Sequence, residues 1–302
     1  MNKTDLIVIL GCTATGKTNL ATQLAYALDG EIISADSRQV YKGMDIGSGK
    51  DLDEYGNTPY HLIDIVEPGY EFNVFEFQKR FCDAFATIEA QQHLPMLVGG
   101  TGLYLESVLS QYQFIEVPTN PTLREALAPQ SNEQLVSRLK RLNPNLHNTT
   151  DLLDRDRLIR ALEIVEAEAK TEKPSITLPD LKPIIFGIKW ERSTLKKRIT
   201  QRLKYRLDNG LIEEVERLNQ EGVSWESLHF YGLEYRFVAS YLKGEVNRND
   251  MVQRLNSAIH TFSKQQEKWF RRMERKGTVI HWLEGDSDPY LDALEILSKH
   301  KH

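Results

Sequence analysis

The chain has 302 residues, 40% of them apolar and 27% charged, and a formal net charge of −5. That length admits one large domain or two modest ones, and a core of this size needs no disulfide staples. No 18-residue apolar stretch exists to span a membrane, and the negative total argues against indiscriminate nucleic-acid binding while leaving room for a local basic groove. The two cysteines, Cys12 and Cys82, stand outside any C-x-x-C or Cys/His pattern, which argues against a zinc site or a disulfide framework and points to the cytoplasm.

Strand and helix alternate from the start. Residues 6–10 read as a buried strand, too short for a signal sequence, and 17–28 as a helix with Leu20, Leu24 and Leu28 on one stripe. Strands are expected at 31–36, 59–64 and 95–100, and a helix at 74–91 with Phe77, Phe81, Phe85 and Ile88 in helical register. This alternation predicts an α/β fold with a mostly parallel sheet flanked by helices. Near Pro118 the strand signal stops. Helices are expected at 121–128, 132–142 and 152–169, and three prolines over 171–183 mark a connector. A strand returns at 184–190, followed by helices at 193–208, 210–220, 232–243 and 248–275 and a last strand at 278–283. The expected organisation is a core built from 1–118 and 182–302 around an all-helical insertion, 119–181. The closing residues 299–302 read as a solvated tail.

Residues 11–18, GCTATGKT, match G-x-x-x-x-G-K-T between a strand and a helix. Gly11 and Gly16 permit a tight turn, and the backbone from Thr13 through Ala14 and Thr15 to Gly16 can aim N–H groups at an anion above a helix N-terminus. Lys17 suits an outer phosphate and the Thr18 hydroxyl suits Mg2+. Cys12 reads as a small filler. A γ-phosphate hydrolase also needs an acid ending a second apolar strand, whereas residues 95–102, PMLVGGTG, end in glycines and a threonine. Two classes stay open: a small-molecule kinase, or an enzyme that uses the P-loop for a departing diphosphate.

Asp36 ends the second strand, where doubly wound sheets put their ligand crevice, and a carboxylate there can take a proton from an amine or hydroxyl. Ser37, Arg38 and Gln39 follow, bulky and polar for a plain turn. Residues 192–207 carry seven Lys/Arg and no acid, with Arg198, Arg202 and Arg206 on one helix face. Like charges at that spacing cost about 0.2–0.5 kcal/mol per pair, so either a phosphate or acids from another element should offset them. Arg155, Arg157 and Arg160 mark the insertion similarly, and make RNA-backbone contact reasonable. Tyr41, Tyr104, Tyr231 and Tyr235, with Trp269, read as packing, and His61 as a hydrogen-bonded structural histidine.

The stretches GCTATGKT, DSRQVYKGMDIGSGK, HLID, LVGGTGLY and DRLIRALE, in this order, resemble the tRNA dimethylallyltransferases, or tRNA isopentenyltransferases, over about residues 6–283. The resemblance implies a P-loop core with a helical insertion, and transfer of a dimethylallyl group from dimethylallyl diphosphate to N6 of the adenine just 3′ of the anticodon, with Mg2+ as cofactor. It implies Asp36 as general base and Thr101 near the bridging phosphate oxygen. It places Lys17, Thr18 and Arg202 at the diphosphate and Mg2+. It places Asp36, Ser37, Arg38 and Gln39, with Asp156, Arg157, Leu158, Ile159 and Arg160, against the tRNA anticodon stem-loop. A monomer without an obligate protein partner is the expected state, of bacterial type. Three positions depart from the family pattern: Cys12 for a proline, Glu234 for a glycine, and Gln265 for an arginine. An adenylate isopentenyltransferase, a P-loop kinase and an idle RNA-binding descendant are the rival readings.

Overall fold

A computed structural model describes residues 4–143, 155–168 and 176–300. Two compact units divide the chain, one made of residues 1–112 with 178–302 and the other of 113–177.

The larger unit is organised by one six-stranded sheet. β1 (Leu6–Gly11), β2 (Gly30–Ser34), β3 (Tyr60–His61), β4 (Leu94–Gly99), β5 (Pro183–Lys189) and β6 (His281–Glu284) lie in the order β3-β2-β4-β1-β5-β6. Every pairing is parallel. β1 is central and wholly buried, and its side chains alternate between two cores: Leu6, Val8 and Leu10 enter one, Ile7 and Ile9 the other. That is why it reads as an unbroken apolar run. The 59–64 strand shrinks to two residues, because Leu62 and Asp64 adopt left-handed backbone and turn the chain away. The last strand starts at His281 rather than at residue 278.

Helices α1 (Lys17–Leu28), α2 (Val74–Ala90) and α3 (Gly102–Leu109) follow their strands. On α2, Phe77, Phe81, Phe85 and Ile88 are buried as the periodicity predicts, each ring contributing about 2–3 kcal/mol of burial. α3 was hidden in the sequence because its Gly-rich start resembles a loop; Thr101 heads it. In the smaller unit, α4 (Pro121–Leu127), α5 (Asn132–Leu142) and α6 (Arg155–Glu168) pack Leu127, Leu135, Leu139, Leu158 and Leu162 into a separate core. Residues 152–154, expected in the third helix, lie outside the described residues, as do 169–175.

The chain then runs through α7 (Arg192–Asp208), α8 (Leu211–Gln220), α9 (Trp225–Phe230), α10 (Leu233–Leu242), α11 (Arg248–Arg275) and α12 (Pro289–His300). α9 and α12 were not anticipated, and α12 absorbs Lys299 and His300 of the expected tail. α11 faces the core with Met251, Leu255, Ile259, Ser263, Gln266, Phe270 and Met273, so two polar residues occupy a stripe that is otherwise apolar. The four tyrosines at 41, 104, 231 and 235 are buried, as packing requires. His61 Nε2 lies 2.6 Å from Glu31, a structural contact. No described helix is long and apolar enough to cross a membrane.

Candidate active site

The P-loop joins β1 to α1, and side chains take up its carbonyls. The Lys17 ammonium and the Thr15 hydroxyl both donate to the Cys12 carbonyl, at 2.8 and 2.9 Å. Arg198 Nε donates to the Ala14 carbonyl at 2.9 Å, and Trp190 Nε1 to the Thr15 carbonyl at 3.0 Å. The Arg198 guanidinium also lies 4.2 Å over the Trp190 ring. The loop's N–H groups are left available: those of Ala14, Thr15 and Gly16 have no hydrogen-bond partner among the described residues. α1 begins on Gly16 at φ 95° with no side-chain cap. Free N–H groups above an uncapped helix N-terminus form an anion site. Burial of the Lys17 ammonium, with Arg202 close by, pulls its pKa down to about 8, the mark of a cation lacking its counter-anion.

Asp36 and Thr101 come together from the ends of β2 and β4. Asp36 Oδ1 accepts the Arg38 N–H at 2.8 Å, an Asx turn that fixes the carboxylate. Its Oδ2 has no hydrogen-bond partner among the described residues. The Thr101 hydroxyl accepts the Ser37 N–H at 3.2 Å, and the Thr101 N–H reaches the Ala35 carbonyl at 3.3 Å. This closeness requires Gly99, where a Cβ would collide with the Ala35 carbonyl. Asp36 lies within electrostatic range of Lys17, so carboxylate, hydroxyl and anion cradle share one crevice at the carboxyl ends of the strands.

Gln266 completes the crevice and was missed in the sequence. Its Oε1 accepts the Thr13 N–H at 2.9 Å and its Nε2 donates to the Gly100 carbonyl at 2.9 Å, joining the P-loop to the turn after β4. Its place on the buried stripe of α11 was the available signal. Gln265, the departure from the family pattern, is exposed. The Cys12 thiol donates to the Ser263 carbonyl at 3.3 Å. Burial pushes that thiol up, away from nucleophilic or redox use.

The basic face of α7 meets acids of other elements. Arg202 Nη1 donates to the Thr13 hydroxyl at 3.3 Å and its Nη2 pairs with Asp51. Arg206 is buried, 3.5 Å from Glu234 and 3.9 Å from Asp51. Glu234 thus stands where it supplies charge to a buried arginine. The 45–50 loop is held rigidly: Glu214 accepts the N–H groups of Asp45, Ile46 and Gly47 at 2.8, 2.8 and 2.9 Å, and Lys50, fully buried, pairs with Asp45 and Asp64. Gln39 belongs to this scaffold. Its Oε1 accepts the Ser34 hydroxyl at 2.7 Å and its Nε2 donates to the Gly49 carbonyl at 3.0 Å, so its amide is engaged at both ends rather than offered to a base edge. Arg38, in contrast, stacks 5.0 Å over the half-exposed Phe230.

In the smaller unit Asp156 and Arg157 are exposed, whereas Leu158 is wholly buried in the helical core, so its side chain is unavailable to RNA. Arg155 donates to carbonyls at the end of α4, among them Ala128 at 2.8 Å. Arg160 binds Glu163 at 2.9 Å and the Val117 carbonyl. Burial pushes Glu163 up, but bonds from Arg124, the Asn120 N–H and Arg160 outweigh it and hold it at about 2.

The fold and site define a P-loop α/β protein in which the anion cradle is flanked by a carboxylate and a hydroxyl rather than by an acid ending the neighbouring strand. The IPP transferase family model matches residues 39–273, and the isopentenyl transferase model matches residues 4–58. The chain is 64% identical to tRNA dimethylallyltransferase 1 of Geotalea uraniireducens, covering 97% of both chains. It resembles the solved tRNA isopentenylpyrophosphate transferase of Bacillus halodurans with TM-score 0.72 and 30% identity, over 99% of this chain and 96% of that one. A eukaryotic dimethylallyltransferase acting on tRNA shares the fold, with TM-score 0.79 at 21% identity over 99% of this chain and 79% of that one. The chain belongs to the IPP transferase family, and is an enzyme of that family.

Proposed function

We propose that this enzyme transfers a dimethylallyl group from dimethylallyl diphosphate to N6 of the adenine 3′-adjacent to the anticodon, in tRNAs reading UNN codons, and releases diphosphate. The observation that carries the proposal is the meeting, in one crevice, of unpartnered P-loop N–H groups with the Asp36 carboxylate and the Thr101 hydroxyl. An exocyclic amine is a weak nucleophile, and its attack needs a base for its proton. Asp36 Oδ2 has room for that proton, with Oδ1 fixed by Arg38. As the N6–C1 bond forms and the allylic C1–O bond breaks, negative charge grows on the bridging oxygen. The Thr101 hydroxyl stands to meet it, while the N–H groups of Ala14 to Gly16, Lys17 and Arg202 hold the departing diphosphate. One such preorganised donor is worth about 3–4 kcal/mol.

The residues present suit Mg2+. The Thr18 hydroxyl, at the first turn of α1, makes no hydrogen bond among the described residues, and no group of three or more His, Cys, Asp or Glu there could hold an ion. The Thr18 hydroxyl would hold the ion beside the diphosphate, and an all-oxygen setting of that kind suits Mg2+. When bound it neutralises charge on the leaving group.

Ser37 and Arg38 beside the base, and the exposed Asp156 and Arg157, are the proposed contacts to the anticodon stem-loop. The tRNA substrate suits a cytoplasmic enzyme, and a monomer is the proposed state. The test is to offer labelled dimethylallyl diphosphate and Mg2+ with three acceptors: a tRNA reading a UNN codon, the same tRNA with guanine at the target position, and AMP. Label is expected in the first alone. Label in AMP alone would replace this reading with a free-nucleotide transferase.

A further inference from the structure

Asp51 heads the short helical turn Leu52–Tyr55 with left-handed backbone, φ 49°. Its carboxylate lies between two guanidiniums. Oδ2 bonds Arg202 Nη2, and Oδ1 stands 3.9 Å from Arg206 Nη2, beyond hydrogen-bond reach. Arg202 also reaches the P-loop, at Thr13. Arg206 is only 8% exposed, yet its Nε and Nη2 have no hydrogen-bond partner among the described residues. Its ion pair with Glu234, 3.5 Å from Nη1, supplies a counter-charge and fills neither of those donors. Buried donors left idle are costly, and a native site that keeps them asks for an occupant.

We propose that Asp51 is a counter-ion handed from Arg202 to Arg206 when a diphosphate enters the P-loop, and that Arg206 is the positioning residue that makes Arg202 available. This rests on the reading of Arg202 as a diphosphate ligand. A diphosphate carries more charge than one carboxylate and draws Arg202 toward it. Asp51, about one third exposed on its side chain, would then either keep hold of Arg202 or be left as a half-desolvated anion. Arg206 offers a third course. A movement of about 1 Å turns the 3.9 Å ion pair into a charge-assisted hydrogen bond. Glu234 keeps a second guanidinium tolerable beside Arg202.

The test is isothermal titration calorimetry of inorganic pyrophosphate with Mg2+ into the full chain and its variants. Arg202→Met examines the underlying reading: an unchanged Kd there removes Arg202 from the site, and the hand-over with it. If Arg202→Met weakens binding, Arg206→Met is expected to weaken it about tenfold or more, because Asp51 then retains Arg202. Asp51→Asn, which frees Arg202, is expected to bind pyrophosphate several-fold more tightly than the parent. The decisive comparison is Asp51→Asn with and without Arg206→Met, where the second substitution should cost less than about threefold. Equal losses from Arg206→Met in both backgrounds would make Arg206 a direct ligand or a prop and overturn the proposal. So would an Asp51→Asn variant that binds no more tightly than the parent, a result that needs no change at Arg206. Should Arg206→Met not fold, Arg206→Lys takes its place in the cycle, keeping charge without the two-donor fork.

Discussion

The side-chain amide of Gln266 reaches the Thr13 N–H with its oxygen and the Gly100 carbonyl with its nitrogen, each at 2.9 Å. One residue of α11 therefore fixes the distance between the anion cradle and the turn that carries Thr101. Gln266→Ala leaves two backbone groups without partners in a buried setting. It is expected to destabilise the protein by about 1–3 kcal/mol, read from the urea midpoint. Gln266→Glu keeps the acceptor for Thr13 and loses the donor to Gly100. It should lower kcat/KM more than its stability change accounts for, because it adds an anion beside the diphosphate.

Asp36→Ala removes the base while leaving the P-loop untouched. Turnover is expected to fall at least ~100-fold with tRNA affinity kept, the size of a general-base contribution. Single-turnover kinetics with a filter-binding measurement on the same variant separates the two. A fully active variant would take Asp36 out of the chemistry.

Lys17 gives the binding step a pH signature. Its pKa in the free protein is drawn down to about 8 by burial, then by Arg202, against 10.5 for the unperturbed side chain. Since the unfolded chain holds this proton more tightly, Lys17 works against stability below about 8, and that effect fades as pH rises toward 10.5. A bound diphosphate reverses the shift, so binding takes up a proton in this window. Pyrophosphate affinity should fall as pH climbs past about 8. Calorimetry at pH ~9 in buffers of different ionisation enthalpy should show the uptake, and Lys17→Met should abolish it.

Glu163 sets an acid limit for the helical unit. Its pKa, held at about 2 against 4.5, means that its contribution is complete above pH 4.5 and is lost as pH falls toward about 2. Glu163→Gln should flatten the pH dependence of unfolding in that window, measured by circular dichroism. It also removes the negative charge that Arg124 and Arg160 pair with, and so should lower stability at neutral pH.

Glu214 accepts three successive backbone N–H groups and the Tyr235 hydroxyl. Glu214→Ala is expected to cost on the order of 3–5 kcal/mol and to raise the KM for the diphosphate donor, since the loop it braces leads into Asp51.

Much of this was legible in the residues. The buried β1, the phenylalanine stripe of α2 and the P-loop pattern are local signals, and a local pattern is sufficient to place them. Asp36 and Thr101 could be placed at strand ends because a parallel sheet gathers those ends on one side. What escaped was long-range pairing. Nothing near Gln266 in the chain speaks of Thr13, more than 250 residues away. Gln39 stands in a polar run, and nothing local to it shows that Ser34 and Gly49 engage both ends of its amide. Leu158, within DRLIRALE, is a core position on α6, and only the partners it packs against show that. α3 and α12 were hidden by a Gly-rich start and by a polar tail.

The central claim is that the P-loop grips the diphosphate that leaves while Asp36 readies the amine that attacks. Its most direct measurement is stoichiometry in one reaction: purified protein, Mg2+, tRNA and dimethylallyl diphosphate, with ATP present. The account predicts one pyrophosphate released for each N6-dimethylallyl adenine formed, with ATP intact. Brisk release of phosphate from ATP with no prenylated adenine would contradict it.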